Sequence, residues 1–127
     1  MGRGDLGIKL DVFHNEAEGR PFAAGEKVFS EHEMGFEMYV IISGEVELSI
    51  NGEVIETLGP GEPFGEMALI DQAPRAATAT AKTDCVLLPI AEKRFLFMVQ
   101  QTPYFSLQIM KVITDRLRKA NERRGKK

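Results

Sequence analysis

The chain has a single cysteine, Cys85, among its 127 residues. An internal disulfide is therefore excluded, and so is an iron–sulfur cluster, which takes several thiolates. Histidine is nearly as scarce. His14 and His32 stand 18 positions apart with acidic neighbours, whereas a metal-dependent barrel enzyme needs clustered His and carboxylate ligands, commonly with two histidines on one strand. Both are read as surface or loop histidines. No Ser–His–acid or Cys–His pattern stands out, so Cys85 is read as a small buried residue in a strand, and no enzyme is expected. There is no run of about 18 apolar residues to span a bilayer, and no basic-then-apolar N-terminal stretch of signal-peptide form. The expected setting is a reducing cytoplasm without a membrane partner.

Linkers and internal repeats are lacking too. A composition of 43% hydrophobic and 28% charged residues is that of a soluble globular chain long enough to bury its own core, so residues 1–127 are expected to form one domain. Positive charge is scarce until the end. Residues 1–110 carry 8 Lys/Arg against 17 Asp/Glu, and residues 111–127 carry 8 against 2. The basic end is read as a solvated helix end with a frayed tail rather than a nucleic-acid contact, because an acidic body repels DNA.

What is present is glycine. Glycines at 19, 25, 35, 44, 52, 59, 61 and 65 punctuate short stretches rich in Val, Ile, Leu and Phe, which predicts short antiparallel strands joined by turns. Residues 45–50 (Glu-Val-Glu-Leu-Ser-Ile) alternate strictly, and Asn51-Gly52 supplies a type I′ turn. This hairpin predicts Ile50 opposite Glu53 and Leu48 opposite Ile55, with Val46, Leu48, Ile50 and Ile55 on the core face and Glu45, Glu47 and Ser49 toward water. Residues 38–42 (MYVII) are too apolar for a half-exposed strand and are expected to be buried on both faces. Residues 78–89 read as one or two strands turning at 82–84. After Pro89 the period changes. Residues 92–101 suit a helix with Phe95, Leu96 and Val99 inward, and Pro103 starts a second helix to about residue 121. That helix carries an apolar face of Ile109, Ile113 and Leu117, flanked by Phe105, Met110 and Val112, and such a face needs a partner. Strands first and helices last predict a mostly β fold: an antiparallel jelly roll over about 20–91, helices over about 92–121, and a basic, disordered tail at 122–127.

One segment carries chemistry. FGEMALIDQAPRAATATA, residues 64–81, holds three charged side chains, two of which, Glu66 and Arg75, stand among small residues. Gly65 admits backbone conformations closed to other residues, Glu66 to Leu69 suits a short helix whose first N–H groups face an anion, and Arg75 offers a forked, permanently charged partner to phosphate. Ala76 and Ala77 leave room, and Pro74 stiffens the approach. A carboxylate beside an anion makes sense when the ligand also has hydroxyl groups, since it accepts hydrogen bonds only. Phosphate and ribose hydroxyl together describe a nucleotide. The structural alternative is a Glu66–Arg75 salt bridge in a tight corner of the roll.

The same segment resembles the phosphate-binding cassette of the cyclic nucleotide-binding domain, the catabolite-activator-like sensor family, and every element is matched between Phe64 and Thr78. AAGEKVF at 23–29, MYVIISGEVEL at 38–48 and LGPGEPFGE at 58–66 fall in the family's order, so the resemblance covers about residues 20–122. It implies a ligand site at Phe64, Gly65, Glu66, Met67, Ala68, Arg75, Ala76 and Ala77. Glu66 would take the ribose 2′-OH and Arg75 the cyclic phosphate. Backbone N–H groups of Gly65, Met67, Ala68 and Ala76 would complete the cradle, and parts of the 38–48 strands would face the base. Ala76 stands where cGMP-selective members tend to carry Thr, which favours cAMP, with cGMP as the other candidate; no prosthetic group is implied.

Two departures from the family are visible. His32-Glu33 replaces a usual Gly-Asp and Phe36 a common acidic residue, in a loop expected to lie away from the phosphate. RLRKANE at 116–122 resembles the run leading into the family's long dimerising helix, with five residues after it. The expectation is a sensor without a DNA-reading domain, lacking the helix that normally lids the base, and acting through a homodimer or partner protein at its C-terminal helix. The alternative is a truncated or degenerate effector domain that works through protein contacts with weak or no nucleotide binding.

Overall fold

The computed structural model describes residues 19–125; His14 and the last two residues of the basic tail lie outside them. Eight strands come first: β1 Arg20–Phe22, β2 Lys27–Phe29, β3 Glu37–Ser43, β4 Val46–Ile50, β5 Glu53–Leu58, β6 Pro63–Phe64, β7 Thr78–Ala81 and β8 Cys85–Ala91. A one-turn helix, α1 Met67–Ile70, interrupts them, and α2 Glu92–Gln101 and α3 Pro103–Gly125 follow. The strands form two antiparallel four-stranded sheets, in the orders β1-β8-β3-β6 and β2-β7-β4-β5. This is the expected jelly roll.

The apolar strand at 38–42 is buried on both faces. Tyr39 and Ile41 point between the sheets with Val46, Leu48, Leu58, Phe64 and Leu87. Met38 and Val40 point the other way, into a second core with Leu88, Ile90, Phe105 and Ile109. Strand alternation thus gives β3 and β8 two cores each. One fills the barrel, and the other fixes α2 and α3 on its outside, where Phe95 and Phe105 meet edge to face at 5.5 Å. Leu69 of α1 belongs to the second core, so the helix of the 64–81 segment is packed on β3 rather than free. Cys85 is a buried core residue whose thiol burial pushes up, followed by the nearby Asp84 and Glu26 charges, which makes it chemically inert.

The helices depart from expectation at two places. Leu96 faces solvent, 54% exposed, and Phe95, Met98 and Val99 supply the packing instead. Helix α3 runs to Gly125, beyond the expected end and into the residues read as a disordered tail. The hairpin is right at its turn and wrong further down. Asn51 and Gly52 both have positive φ (52° and 83°) and Ile50 opposes Glu53. A bulge between Leu48 and Ser49 then places Leu48 opposite Glu56 rather than Ile55. Ile55 is the extra residue, and the turn chemistry that fixes the register at Asn51-Gly52 carries no signal for a bulge further along. Val46 and Leu48 are buried and Ile50 and Ile55 half-buried, but Glu45, Glu47 and Ser49 are also half-buried rather than open to water.

Candidate functional site

Glu66 and Arg75 are the two buried charged residues of the described chain, 3% and 7% exposed. Burial of a charge is costly unless hydrogen bonds replace water, so their partners decide what the site is. They do not bond to each other, which removes the simple salt-bridge reading.

Arg75 is held by backbone. Its Nη1 donates to Gly65 O at 3.1 Å and its Nη2 to Glu37 O at 2.8 Å, while the guanidinium carbon sits 3.9 Å from the centre of the Phe29 ring. Two carbonyls do not use up a guanidinium's donors, and Nε is buried with no hydrogen-bond partner. Desolvation by burial lowers the Arg75 pKa, opposed by Tyr39, Glu37, Glu33 and Glu66; the group stays a cation at any physiological pH. It is an incompletely neutralised charge with donor capacity to spare.

The 32–36 loop, expected to lie away from the phosphate, is the back wall of this arginine. Arg75 N donates to Glu33 O at 2.7 Å and His32 N to Arg75 O at 2.8 Å. His32 takes a left-handed conformation, φ 72°, where glycine is the easy occupant, so the replacement of the usual glycine has not prevented the turn. Gly35 lies so close to the guanidinium that a Cβ there would overlap Arg75 Cζ, Nε and Nη2. Gly65 closes the other side: it has φ +78°, and a Cβ would stand 2.8 Å from Arg75 Nη1.

Glu66 is held by a side chain from far along the sequence. Arg116 of α3 donates from Nη1 to Glu66 Oε1 at 2.8 Å and from Nη2 to Pro63 O at 2.7 Å. Arg116 Nε also lies 3.7 Å from Glu56 Oε1, and Lys119 Nζ is 3.3 Å from Glu56 Oε2. Glu66 precedes α1 in helical conformation without a side-chain cap bond, so its carboxylate is turned to this network.

Beside these charges lies a cavity of about 460 Å³, within the size range of small-molecule sites. Phe29, Leu48, Ile50 and Ile55 line one side, and Gly65 to Ala68 with Pro74 to Ala77 form the end. Ile113, Arg116, Leu117 and Lys119 of α3 also line it. Residues 113–119 of α3 therefore form one wall of the cavity. Of the residues singled out in the sequence, Gly65, Glu66, Met67, Ala68, Arg75, Ala76 and Ala77 all reach the cavity. Phe64 does not: it is fully buried in the barrel core, stacked at 5.5 Å on Tyr39. Of the 38–48 stretch only Leu48 lines the cavity, because β3 spends both faces on the two cores. The Ala68 N–H, read as part of an anion cradle, donates to Gly65 O at 3.3 Å. Phe29, Gly35, Glu37 and Arg116 were missed; Gly35 and the first arginine of RLRKANE carry no local sign of a partner that distant. Among the described residues no three His, Cys, Asp or Glu side chains converge to hold a metal, and no helix is long and apolar enough to cross a membrane.

Comparison with known proteins gives the site a family. The sequence model of the cyclic nucleotide-binding domain matches residues 19–102. A cyclic AMP receptor protein of Thermus thermophilus is 30% identical over 118 residues, which cover 89% of this chain and 55% of that protein. The chain spans about half the length of the curated relatives it matches. The solved Catabolite Activator Protein of Thermus thermophilus superposes with a TM-score of 0.72 at 28% identity, over 94% of this chain and 56% of the other. A structure described as "A cyclic-GMP-dependent signalling pathway regulates bacterial phytopathogenesis" gives 0.73 at 27% identity, over 93% of this chain and 95% of the other. The matched sequence and the shared fold make the chain a member of the cyclic nucleotide-binding domain family, with a cyclic nucleotide as its class of ligand.

Proposed function

We propose that the chain is a non-enzymatic cyclic nucleotide sensor that prefers cAMP. The observation that carries this is a buried cation and a buried carboxylate, unbonded to each other, at one end of a mostly apolar cavity of about 460 Å³. Arg75, with donors to spare, takes the cyclic phosphate, and Glu66 accepts the ribose 2′-OH. Leu48, Ile50, Ile55, Ile113 and Leu117 offer apolar surface to the base. Ala76 brings no hydroxyl to the site, which supports cAMP over cGMP. Because α3 forms one wall, filling the cavity changes the contacts of that helix, and differential contact of this kind is what a ligand needs to shift a conformational equilibrium. Titration calorimetry with cAMP, cGMP and 5′-AMP is the test. Binding of cAMP ahead of cGMP, with 5′-AMP much weaker, is expected; no heat from either cyclic nucleotide at millimolar concentration overturns the proposal.

A second reading, action through protein contacts, is favoured by one observation. Leu96 and Phe97 of α2 and Tyr104, Leu107 and Met110 of α3 are all more than half exposed. Apolar side chains in such number on two adjacent helices suit a homodimer or a partner protein. Ile109, by contrast, is buried on the chain's own barrel and Ile113 half-buried against the same core, so that part of the helical stripe finds its partner within the chain. A light-scattering mass with and without cAMP tests it: a monomer in both conditions rules out the homodimer.

A further inference from the structure

Most of the apolar wall on the barrel side of the cavity comes from one hairpin, through Leu48 and Ile50 of β4 and Ile55 of β5. That hairpin is fastened at its base and free at its tip. Strand β4 pairs with β7 only as far as Ser49, opposite Thr78, and β5 is the outer strand of its sheet. Residues 50–53 therefore project past the ladder with β7. Among the described residues, one hydrogen bond joins this tip to anything outside the hairpin: Asn51 N donates to Glu31 Oε1 at 3.0 Å. The Glu31 side chain is 17% exposed, so the bond is largely screened from water. Its Oε2 lies 4.0 Å from Nε2 of His32, which is 85% exposed and holds it weakly.

The main chain around Glu31 is fixed to the other end of the site. Its own N–H donates to Thr78 Oγ1 at 3.0 Å, next to Ala76 and Ala77. The two residues after it hold the main chain of Arg75, His32 N donating to Arg75 O and Glu33 O accepting from Arg75 N. Two residues before it, the Phe29 ring lies under the guanidinium. Glu31 thus has its backbone on the arginine end and its carboxylate on the hairpin tip. We infer that Glu31 is a positioning residue for the base: it braces the tip of the β4–β5 hairpin against the segment that holds Arg75, and so sets the span between the phosphate end and the apolar wall of Ile50 and Ile55. The inference rests on the reading of Arg75 as the phosphate partner and of that wall as the surface for the base. A base gains from the wall only when the wall stands at the right distance from the phosphate, whereas sugar and phosphate alone have no stake in the brace.

The test compares cAMP with methyl riboside 3′,5′-cyclic phosphate, which keeps the phosphate and the 2′-hydroxyl but has no base. Calorimetry gives the cAMP affinity and competition against cAMP gives the other, on the full chain and on the Glu31→Asp and Glu31→Gln variants. Aspartate keeps the charge but falls short of Asn51 by a methylene; glutamine keeps the reach and an acceptor oxygen but not the charge. Glu31→Asp is expected to weaken cAMP roughly fivefold or more, and the base-less compound by less than about twofold, as for the loss of one hydrogen bond that serves the base alone. Glu31→Gln should stay within about threefold of the unmodified protein for cAMP, since a neutral acceptor keeps part of the bond. Hydrogen exchange at the Asn51 backbone N–H should quicken in the aspartate variant and change little in the glutamine variant. The opposite order, with glutamine the weaker binder, would mean that Glu31 acts through its charge near Arg75 and overturns the brace. Equal losses for both ligands, as from a residue that merely stabilised the fold, or an undiminished cAMP affinity in the aspartate variant, overturn it too. If the base-less compound does not compete measurably, the order of the two variants on cAMP decides. Should the aspartate variant prove too unstable to titrate, the glutamine variant alone decides, by whether cAMP affinity holds within the stated range. Failure of the unmodified protein to bind cAMP overturns the reading of the site itself, and this inference with it.

Discussion

The cavity has two walls built on different principles. On the barrel side, Arg75 is fixed by main-chain carbonyls, a ring face and two glycines that leave no space for it to shift. On the helix side, α3 beyond its buried Phe105, Ile109 and Val112 is held by long charged side chains: Arg116 on the buried Glu66, and Lys119, 53% exposed, on Glu56. The first wall is preorganised: its geometry follows from backbone and close packing, which do not yield to salt or rotamer changes. The second is more adjustable at its outer end, where the Lys119–Glu56 pair is exposed, since exposed ion pairs are worth little and are screened. A sensor needs both kinds. A rigid wall supplies affinity for the invariant part of the ligand, and a loosely tied one is free to report that the ligand has arrived.

If this division is right, damage to the barrel wall should cost most. Arg75→Ala is expected to weaken cyclic nucleotide binding by about 2–4 kcal/mol, given charge-assisted bonds of about 1.5–3 kcal/mol each. Calorimetry with cAMP reads the loss directly, and an unchanged affinity removes Arg75 from the phosphate site. Gly35→Ala touches neither ligand nor charge, yet the added methyl would overlap the guanidinium. Unlike Gly65, Gly35 has no positive φ, so alanine is tolerable to its backbone. The fold should persist and Arg75 should be displaced, with affinity down by about tenfold, or 1.4 kcal/mol, and with no further loss when combined with Arg75→Ala, as expected of two changes acting through one group. Full additivity of the pair would show that the glycine serves something other than the arginine.

The two walls also differ in how far they could be read from sequence. The barrel wall was largely legible, since Gly65, Glu66, Arg75 and the alanines sit within one short segment and the chemistry of each points the same way. What escaped there were contacts made by main chain: Glu37 lends only its carbonyl to Arg75, and a carbonyl has no sequence signature. The docking of the 32–36 loop on residue 75 escaped for a related reason, because it runs through backbone bonds that any residues can make. The strands at 38–42, 45–50 and 78–89, the turn at Asn51-Gly52 and the helix starts were legible from period and turn chemistry. The bulge that sends Ile55 toward the cavity was not, as it inserts one residue without altering composition. The helix wall was the least legible. Arg116 sits in a basic run that reads as a solvated helix end, and only folding brings Glu66 and Glu56 to it.

The smallest expected effect is the one that most sharpens the contrast. Lys119 pairs with Glu56 at 3.3 Å, but its side chain is 53% exposed, so the pair belongs to the class worth about 0.2–1 kcal/mol. Lys119→Ala should therefore weaken cAMP binding by no more than a few-fold in dilute buffer. The difference from the unmodified protein should vanish near 1 M salt, where the screening length falls to about 3 Å. Affinity measured at low and at high salt for both proteins checks this. Arg75→Ala should keep its deficit at the same high salt, because its hydrogen bonds are buried and direct rather than long-range. A Lys119→Ala loss that is as large as that of Arg75→Ala, or as indifferent to salt, would mean that α3 is as firmly built into the site as the barrel is, and that the helix wall cannot be the part that moves.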